Sequence, residues 1–258
     1  MDTVLARTQL DLFWLPPTVT RLERADVLAL HDGTDNFLHN QVARTLTTDD
    51  KIPALIEEIS AFHSSGSQWL VVPPGNLRAL ETHLPDHGYQ PEFQGDGYSV
   101  DTASTWSEGE LEVVQVCDLR TLRDNLDAGA RGFDRAVRIP EAGLARQLEM
   151  CTGPAARTAR FVVYAQDEPV AAGNINRYDA LGFGFLWAGA TVPEYRGRGA
   201  YRALLGARCR WARARGMERV GLYANRKTSA PVVAGLGFSK HGPMAYWKRK
   251  DPRRSADE

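Results

Sequence analysis

Between Thr191 and Trp211 the chain reads TVPEYRGRGAYRALLGARCRW, and the residue types and spacing of this stretch can hold an anion. Pro193 has no backbone N–H, so a strand running into it must stop there. Gly197 and Gly199 flank Arg198, which lets the backbone turn successive amide N–H groups toward one point. A helix begins at once, with Ala200, Leu204, Ala207 and Trp211 spaced as one buried stripe. Unpaired amides and the positive end of a helix dipole therefore coincide, an arrangement suited to a pyrophosphate. Arg196 and Arg198 add positive charge at the rim. No Gly-Lys-Ser/Thr follows, which excludes the phosphate loop of nucleoside triphosphatases. A dinucleotide fingerprint is excluded too, because the preceding segments pattern as hairpins and no acidic residue ends a partner strand at the required distance.

The elements that must position this loop follow from periodicity. FGFLWAGATV, ending at Val192, is the strand that feeds it. Before it, ARFVVYA and PVAAGNI alternate as a hairpin around a turn at Asp167 and Glu168. LEVVQV from Leu111 is a further strand, followed by helices near 119–131 and 141–151 on either side of a 132–140 loop. After it come a helix over 199–215, the strand VGLYAN, a helix from Ser229 to Leu236 and the strand MAYWKR. Arg202, Arg208, Arg210, Arg213 and Arg215 read as the solvated face of the long helix.

The first hundred residues open with a loop-rich stretch holding Pro16 and Pro17. A helix carries Ile52, Leu55, Ile56, Ile59 and Phe62 on one face, with Asp49 or Asp50 as its cap. The strand QWLVV, a short helix of Leu77, Leu80 and Leu84, and a strand at Tyr98–Val100 complete this half. DTASTWSEGE (101–110) is polar and small, as a boundary should be. The expected division is 1–105, 110–250 and a disordered tail over 251–258. NLRALETHLPDHGYQP and SAPVVAGLGFSKHGP both run helix, Gly-aromatic, strand, which suggests one fold present twice with the first copy eroded; coincidence is the alternative.

A net charge of −1 over 258 residues gives no field toward nucleic acid or an anionic membrane. No apolar run approaches the roughly 20 residues that span a bilayer, and the N-terminus lacks the pattern of a signal peptide. Cys117, Cys151 and Cys209 are too few and scattered for a disulfide framework or zinc site, so a reducing cytoplasm and no metal are expected.

PEYRGRGAYRALL resembles motif A of the GNAT superfamily of N-acyltransferases: Arg196, Gly197, Arg198, Gly199 and Ala200 match its pattern, and Tyr201 stands where the family has Gly or Ala. SAPVVAGLGF is similar to the family's late helix. The resemblance covers about Leu111 to Arg249, and the N-terminal half resembles the degenerate partner domain of tandem GNAT proteins. It implies an α+β fold with a mixed, mostly antiparallel sheet flanked by helices. It also implies acetyl-coenzyme A, or another acyl-coenzyme A, in a gap between two splayed parallel strands ending at Val192 and Asn225. Ala190, Thr191 and Val192 would face pantetheine, 196–201 the pyrophosphate, and an amide near Thr191 the thioester carbonyl. The implied reaction is direct attack by the amine of a small molecule in a ternary complex, by a monomer or homodimer. The family's usual groups depart here: the feeding strand holds no Glu, and Val233 stands in the place of the usual Tyr. Tyr223 and Tyr201 are the candidate hydroxyls, and Asn225 is a candidate for holding pantetheine or a water. Trp187, Asp134 and Arg135 are candidates for the acceptor side. Each has a plain alternative in packing, a turn or a solvated loop. Without the usual acid and base, a non-catalytic acyl-coenzyme A-binding protein, or a transferase of a different acyl group accommodated by Gly189 and Ala190, stays open.

Overall fold

A computed structural model of the protein describes residues 2–34, 36–63, 66–75, 77–106, 111–135 and 141–250. The expected tail and residues 136–140 of the expected loop lie outside these. In chain order the elements are α1 (Asp2–Thr8), β1 (Thr20–Glu23), β2 (Val27–His31), β3 (Gln41–Thr45), α2 (Ile52–Phe62), β4 (Ser67–Val71), α3 (Leu77–His83) and β5 (Gln90–Asp101). There follow β6 (Glu112–Gln115), α4 (Leu119–Phe133), α5 (Glu141–Thr152), β7 (Thr158–Ala165), β8 (Glu168–Tyr178), β9 (Phe183–Thr191), α6 (Ala200–Arg213), β10 (Arg219–Asn225), α7 (Ser229–Gly235) and β11 (Ser239–Arg249). The fold is α+β. It divides into two compact units, Met1–Tyr98 with Tyr223–Glu258, and Ser99–Leu222. The last strand of the chain is thus counted with the first residues, because β11 pairs antiparallel with β4 from Ala245↔Val71 to Arg249↔Ser67.

In the unit Ser99–Leu222 the strands run β10-β9-β8-β7-β6, antiparallel except for the β9–β10 pair. The β7–β8 turn is made by Gln166 and Asp167, both at positive φ, one residue earlier than expected; Glu168 already belongs to β8. The helices lie on opposite faces. A Cβ on Gly129 or Gly132 of α4 would meet Ala172 or Ala190, whereas one on Gly173 or Gly189 would meet α6. Neighbours 172 and 173 point to opposite sides of a strand, so α4 and α6 cover different faces. Gly132 lies inside α4, not in a loop. A Cβ there would stand 2.7 Å from that of Ala190, so its absence lets the helix end lie directly on β9.

In the other unit the order is β1-β2-β3-β4-β11-β5. The opening stretch contains α1 and the β1–β2 hairpin as well as loops; VLAL is evenly apolar and QVAR puts two apolar residues side by side, so neither betrays a strand by alternation. Neither Asp49 nor Asp50 caps α2: they form a short 3₁₀ turn, and Lys51 stands at the cap without a side-chain bond. The strand expected at Tyr98–Val100 is the end of the twelve-residue β5. β3 and β4 are parallel, as β9 and β10 are, and pair only at Gln41↔Gln68 and Val42↔Trp69. Beyond that point Trp69 Nε1 donates to Thr45 Oγ1 at 2.9 Å, and a Cβ on Gly75 would stand 2.8 Å from the Thr45 carbonyl oxygen. The divergence is filled from within. The repeated sequence pattern is also a repeated geometry: Gly88 and Gly237 are both left-handed (φ 79° and 86°), and Tyr89 and Phe238 N–H donate to the carbonyls of Leu84 and Val233.

His63 in this unit is buried, with Nε2 on the Leu30 carbonyl and Nδ1 unpartnered. Burial is the main reason its pKa is pushed down to about 4. The unfolded chain takes up a proton near pH 6.5 that the folded protein refuses until about pH 4, so stability is full above pH 6.5 and falls toward pH 4. The loss should be on the order of 3 kcal/mol. Urea unfolding at pH 7.5 and 4.5 measures it; His63→Leu should shrink the difference, and an unchanged difference would contradict the assignment.

Candidate functional site

β9 is the strand that presents the site. Its pairing with β10 runs from Phe183↔Arg219 to Phe185↔Gly221 and stops there, while β9 continues to Thr191 on β8. Across β8, Ala172 pairs with Ala190 and Asn174 with Trp187, so Ala188 and Gly189 together oppose Gly173. This is a β-bulge, with Ala188 at φ 49°, and it re-aims the backbone where the parallel pairing has ended. A glycine among small residues inside a strand was the available signal for it. The Val192 N–H donates to the Val170 carbonyl at 2.9 Å. Alternation then turns the Thr191 N–H to the opposite edge, so of the amides of 190–192 that one faces away from β8. The Thr191 hydroxyl oxygen is buried and has no partner.

The loop follows a 3₁₀ turn, Pro193–Tyr195. Gly197 (φ 76°) and Gly199 (φ 89°) are left-handed, and a Cβ on either would meet nothing within 4 Å. Gly199 caps α6 without any side-chain bond, which leaves the first-turn amides and the dipole open to an anion. The buried stripe of Ala200, Leu204, Ala207 and Trp211 is as expected. Arg196 is less a rim charge than a tether: Nε donates to the Thr191 carbonyl at 3.2 Å and Nη2 to the Gly132 carbonyl at 3.1 Å. Arg198 is exposed and stacks on Tyr195 at 5.3 Å, and the Tyr195 hydroxyl reaches Glu168, which Arg131 engages from α4.

Arg208 overturns the reading of α6 as carrying five solvated arginines. It is 1% exposed, with Nε on the Leu204 carbonyl, Nη1 on the Asn174 carbonyl at 3.4 Å and Nη2 unpartnered. Burial pushes its pKa down. Its charge lies 5.8 Å from the Tyr201 ring centre, and the two fill the space beside Gly189. A Cβ at Gly189 would stand 3.1 Å from Tyr201, so this glycine gives no room for a longer acyl group on the α6 side. No sequence period distinguishes such a buried arginine from a solvated one.

The other candidates divide. Tyr201 is half-buried beside the bulge. Tyr223 and Asn225 belong to the first unit. There the Tyr223 ring packs near Gly97, while Asn225 builds a turn by accepting from the Lys227 N–H and donating its own to Ser229. Val233 is fully buried. Asp134 is the left-handed C-cap of α4 (φ 52°), and both it and Arg135 are exposed. Trp187 is half-buried and donates from Nε1 to Asn176 Oδ1 at 3.0 Å. Arg160 stacks on it at 5.2 Å, a partner that sequence reading did not single out. Among the described residues no group of three metal-ligating side chains occurs, and no helix is long and apolar enough to cross a membrane.

Residues 133–238 match the model of the Acetyltransferase (GNAT) family. Among solved structures, a functionally unknown conserved protein from Staphylococcus epidermidis is 14% identical, with 95% of this chain and 99% of that one covered at a TM-score of 0.67. A GCN5-related N-acetyltransferase from Kribbella flavida is also 14% identical, with 96% and 95% covered and a TM-score of 0.67. A tandem GNAT protein from the clavulanic acid biosynthesis pathway is 10% identical, with 95% and 87% covered at 0.57. At such identities the likeness is one of fold. No curated protein matches the sequence. The glycine loop, the bulged strand and the family match fall on the same residues, so the segment 133–238 is similar to the GNAT acetyltransferase family.

Proposed function

We propose that this protein is an acyl-coenzyme A-dependent N-acyltransferase that moves an acetyl group to the amine of a small molecule in a ternary complex. The observation that carries this reading is the uncapped start of α6 behind two left-handed glycines whose outer faces are open. The residues suit the co-substrate: the α6 amides would take the pyrophosphate, and the unpartnered Thr191 hydroxyl lies where the pantetheine arm would pass. Acyl-coenzyme A supplies an activated acyl carbon and a thiolate leaving group. The Thr191 N–H would donate to the acyl carbonyl oxygen as negative charge develops there. As the amine nitrogen bonds to the acyl carbon and the C–S bond breaks, the nitrogen gives its proton to water and the thiolate takes one up. Tyr201, beside the bulge, is the candidate donor within this unit. The first unit is an eroded copy in this reading, its splayed strands filled by Trp69. The free thiols of Cys117, Cys151 and Cys209 agree with a cytoplasmic setting.

A second reading, a regulatory protein that holds acyl-coenzyme A without chemistry, draws on the absence of any carboxylate in β9 and on the buried Val233. Thiol release from acetyl-coenzyme A over an amine panel separates the two. Turnover with an amine supports the transferase; tight coenzyme A binding by calorimetry with no turnover supports the binding protein.

A further inference from the structure

Under α4 and α5, beyond the apolar contacts of Ala172 and Ala190, part of the face of β7, β8 and β9 is polar. Arg160, Asn174 and Trp187 stand in one cross-strand row, and Thr158 and Asn176 in the next. Asn125 of α4 reaches down to this layer and donates to Asn174 Oδ1 and to the Phe161 carbonyl. Asn125, Asn174 and Asn176 are all buried.

Arg160 is the only charge in that network. Nη1 donates to Asn125 Oδ1 at 3.4 Å, Nη2 to Gln147 Oε1 at 2.7 Å, and the guanidinium lies over the Trp187 ring. It also interacts with the Cys151 thiol. Every one of these partners is neutral. Nε, adjacent to Nη2, is buried and has none. The Nε–Nη2 edge is the fork of an arginine that pairs with a carboxylate through two parallel bonds. Here one tine rests on a carboxamide oxygen and the other on nothing. A partly buried cation whose Nε is cut off from water is costly to leave in this state unless an anion completes it. The arm crosses β8 to reach Trp187, so it brings the charge to the strand that carries Thr191.

We infer that Arg160, with Gln147 and Trp187, forms a subsite for a carboxylate on the acceptor, so that the amine substrate also carries an acid group. This rests on the acyl-transfer reading, and it requires the Gln147 carboxamide to yield its place to the incoming carboxylate. An amine with no acid group would leave the fork half-made.

The test uses the full chain with acetyl-coenzyme A and matched acceptors: 4-aminobutyrate against n-butylamine, alanine against ethylamine, and 3-aminopropylphosphonate as the phosphorus acid. The expected kcat/KM ratio of acid to neutral amine is about tenfold or more, the scale of one charge-assisted pair. Arg160→Met should bring that ratio toward one. Gln147→Glu places a carboxylate on the fork from within. It should lower the ratio as far while raising the melting temperature, so an unfolded variant cannot imitate the result. A ratio near one in the parent protein, a ratio unmoved by Gln147→Glu, or a preference for the phosphonate would each overturn the inference. If no amine turns over, the transferase reading fails on its own. Calorimetry of 4-aminobutyrate with the coenzyme A-loaded protein then decides: binding lost in Gln147→Glu supports the subsite, and no binding overturns it.

Discussion

Coenzyme A should bind Gly199→Val at least about a hundredfold less tightly than the parent, close to 3 kcal/mol, while the protein stays folded. Gly199 holds φ at 89°, where any residue with a Cβ is strained by roughly 1–2 kcal/mol and a β-branched one by more. The chain can relieve that strain by rotating the peptide into the ordinary region. That rotation turns the first amides of α6 away from their common point. Nothing in the protein lies within 4 Å of the new Cβ, so no internal clash accompanies the change. The side chain would project into the open face of the loop, where the proposed function puts the pyrophosphate. Calorimetric titration with coenzyme A gives the affinity, and circular dichroism shows whether the fold persists. An unchanged dissociation constant would remove the pyrophosphate from this loop.

Trp69→Ala should cost the first unit about 3–5 kcal/mol, the range for deleting a large buried aromatic. Trp69 has no exposed surface, packs edge-on against Tyr89 at 6.0 Å, and bonds Thr45 across the divergence of β3 and β4. Removing it leaves a void and an unpartnered buried hydroxyl together. Trp69→Phe, which keeps the ring and loses the bond, should cost less. Urea unfolding followed by far-ultraviolet dichroism measures both. A loss below about 1.5 kcal/mol for the alanine variant would mean that the wedge is held elsewhere. Opening the wedge should not confer coenzyme A binding. The segment after β3 reads LTTDDKI, with two carboxylates and no glycine where the second unit has its loop.

What sequence made legible was whatever local chemistry controls. Pro193 ends β9, the two glycines turn the loop, and α6 shows its apolar stripe, because each depends on residues a few positions apart. Gly88 and Gly237 disclosed the repeat for the same reason. What stayed hidden depends on partners far along the chain. Arg208 is buried because Gly173 and Gly189 of other strands make room for it, and Arg196 is a tether because Gly132 of α4 offers a carbonyl. Asn225 matched a ligand-holding position by pattern, yet in the structure its side chain accepts from Lys227. The register shift that opposes two residues of β9 to Gly173 belongs to a pair of strands and to neither strand alone.

The pairing of β11 with β4 also sets an order on how the protein can be made. During synthesis β4 emerges roughly 180 residues before the strand that will lie beside it, an interval of about 10–40 s at ordinary ribosomal rates. Until then one edge of β4 carries unpaired amides and carbonyls, the kind of edge that recruits other chains. Ser99–Leu222 can close while that edge waits. The residues translated first therefore complete their sheet last, and a ribosome that stalls after Leu222 would release a chain whose first unit has no means of finishing.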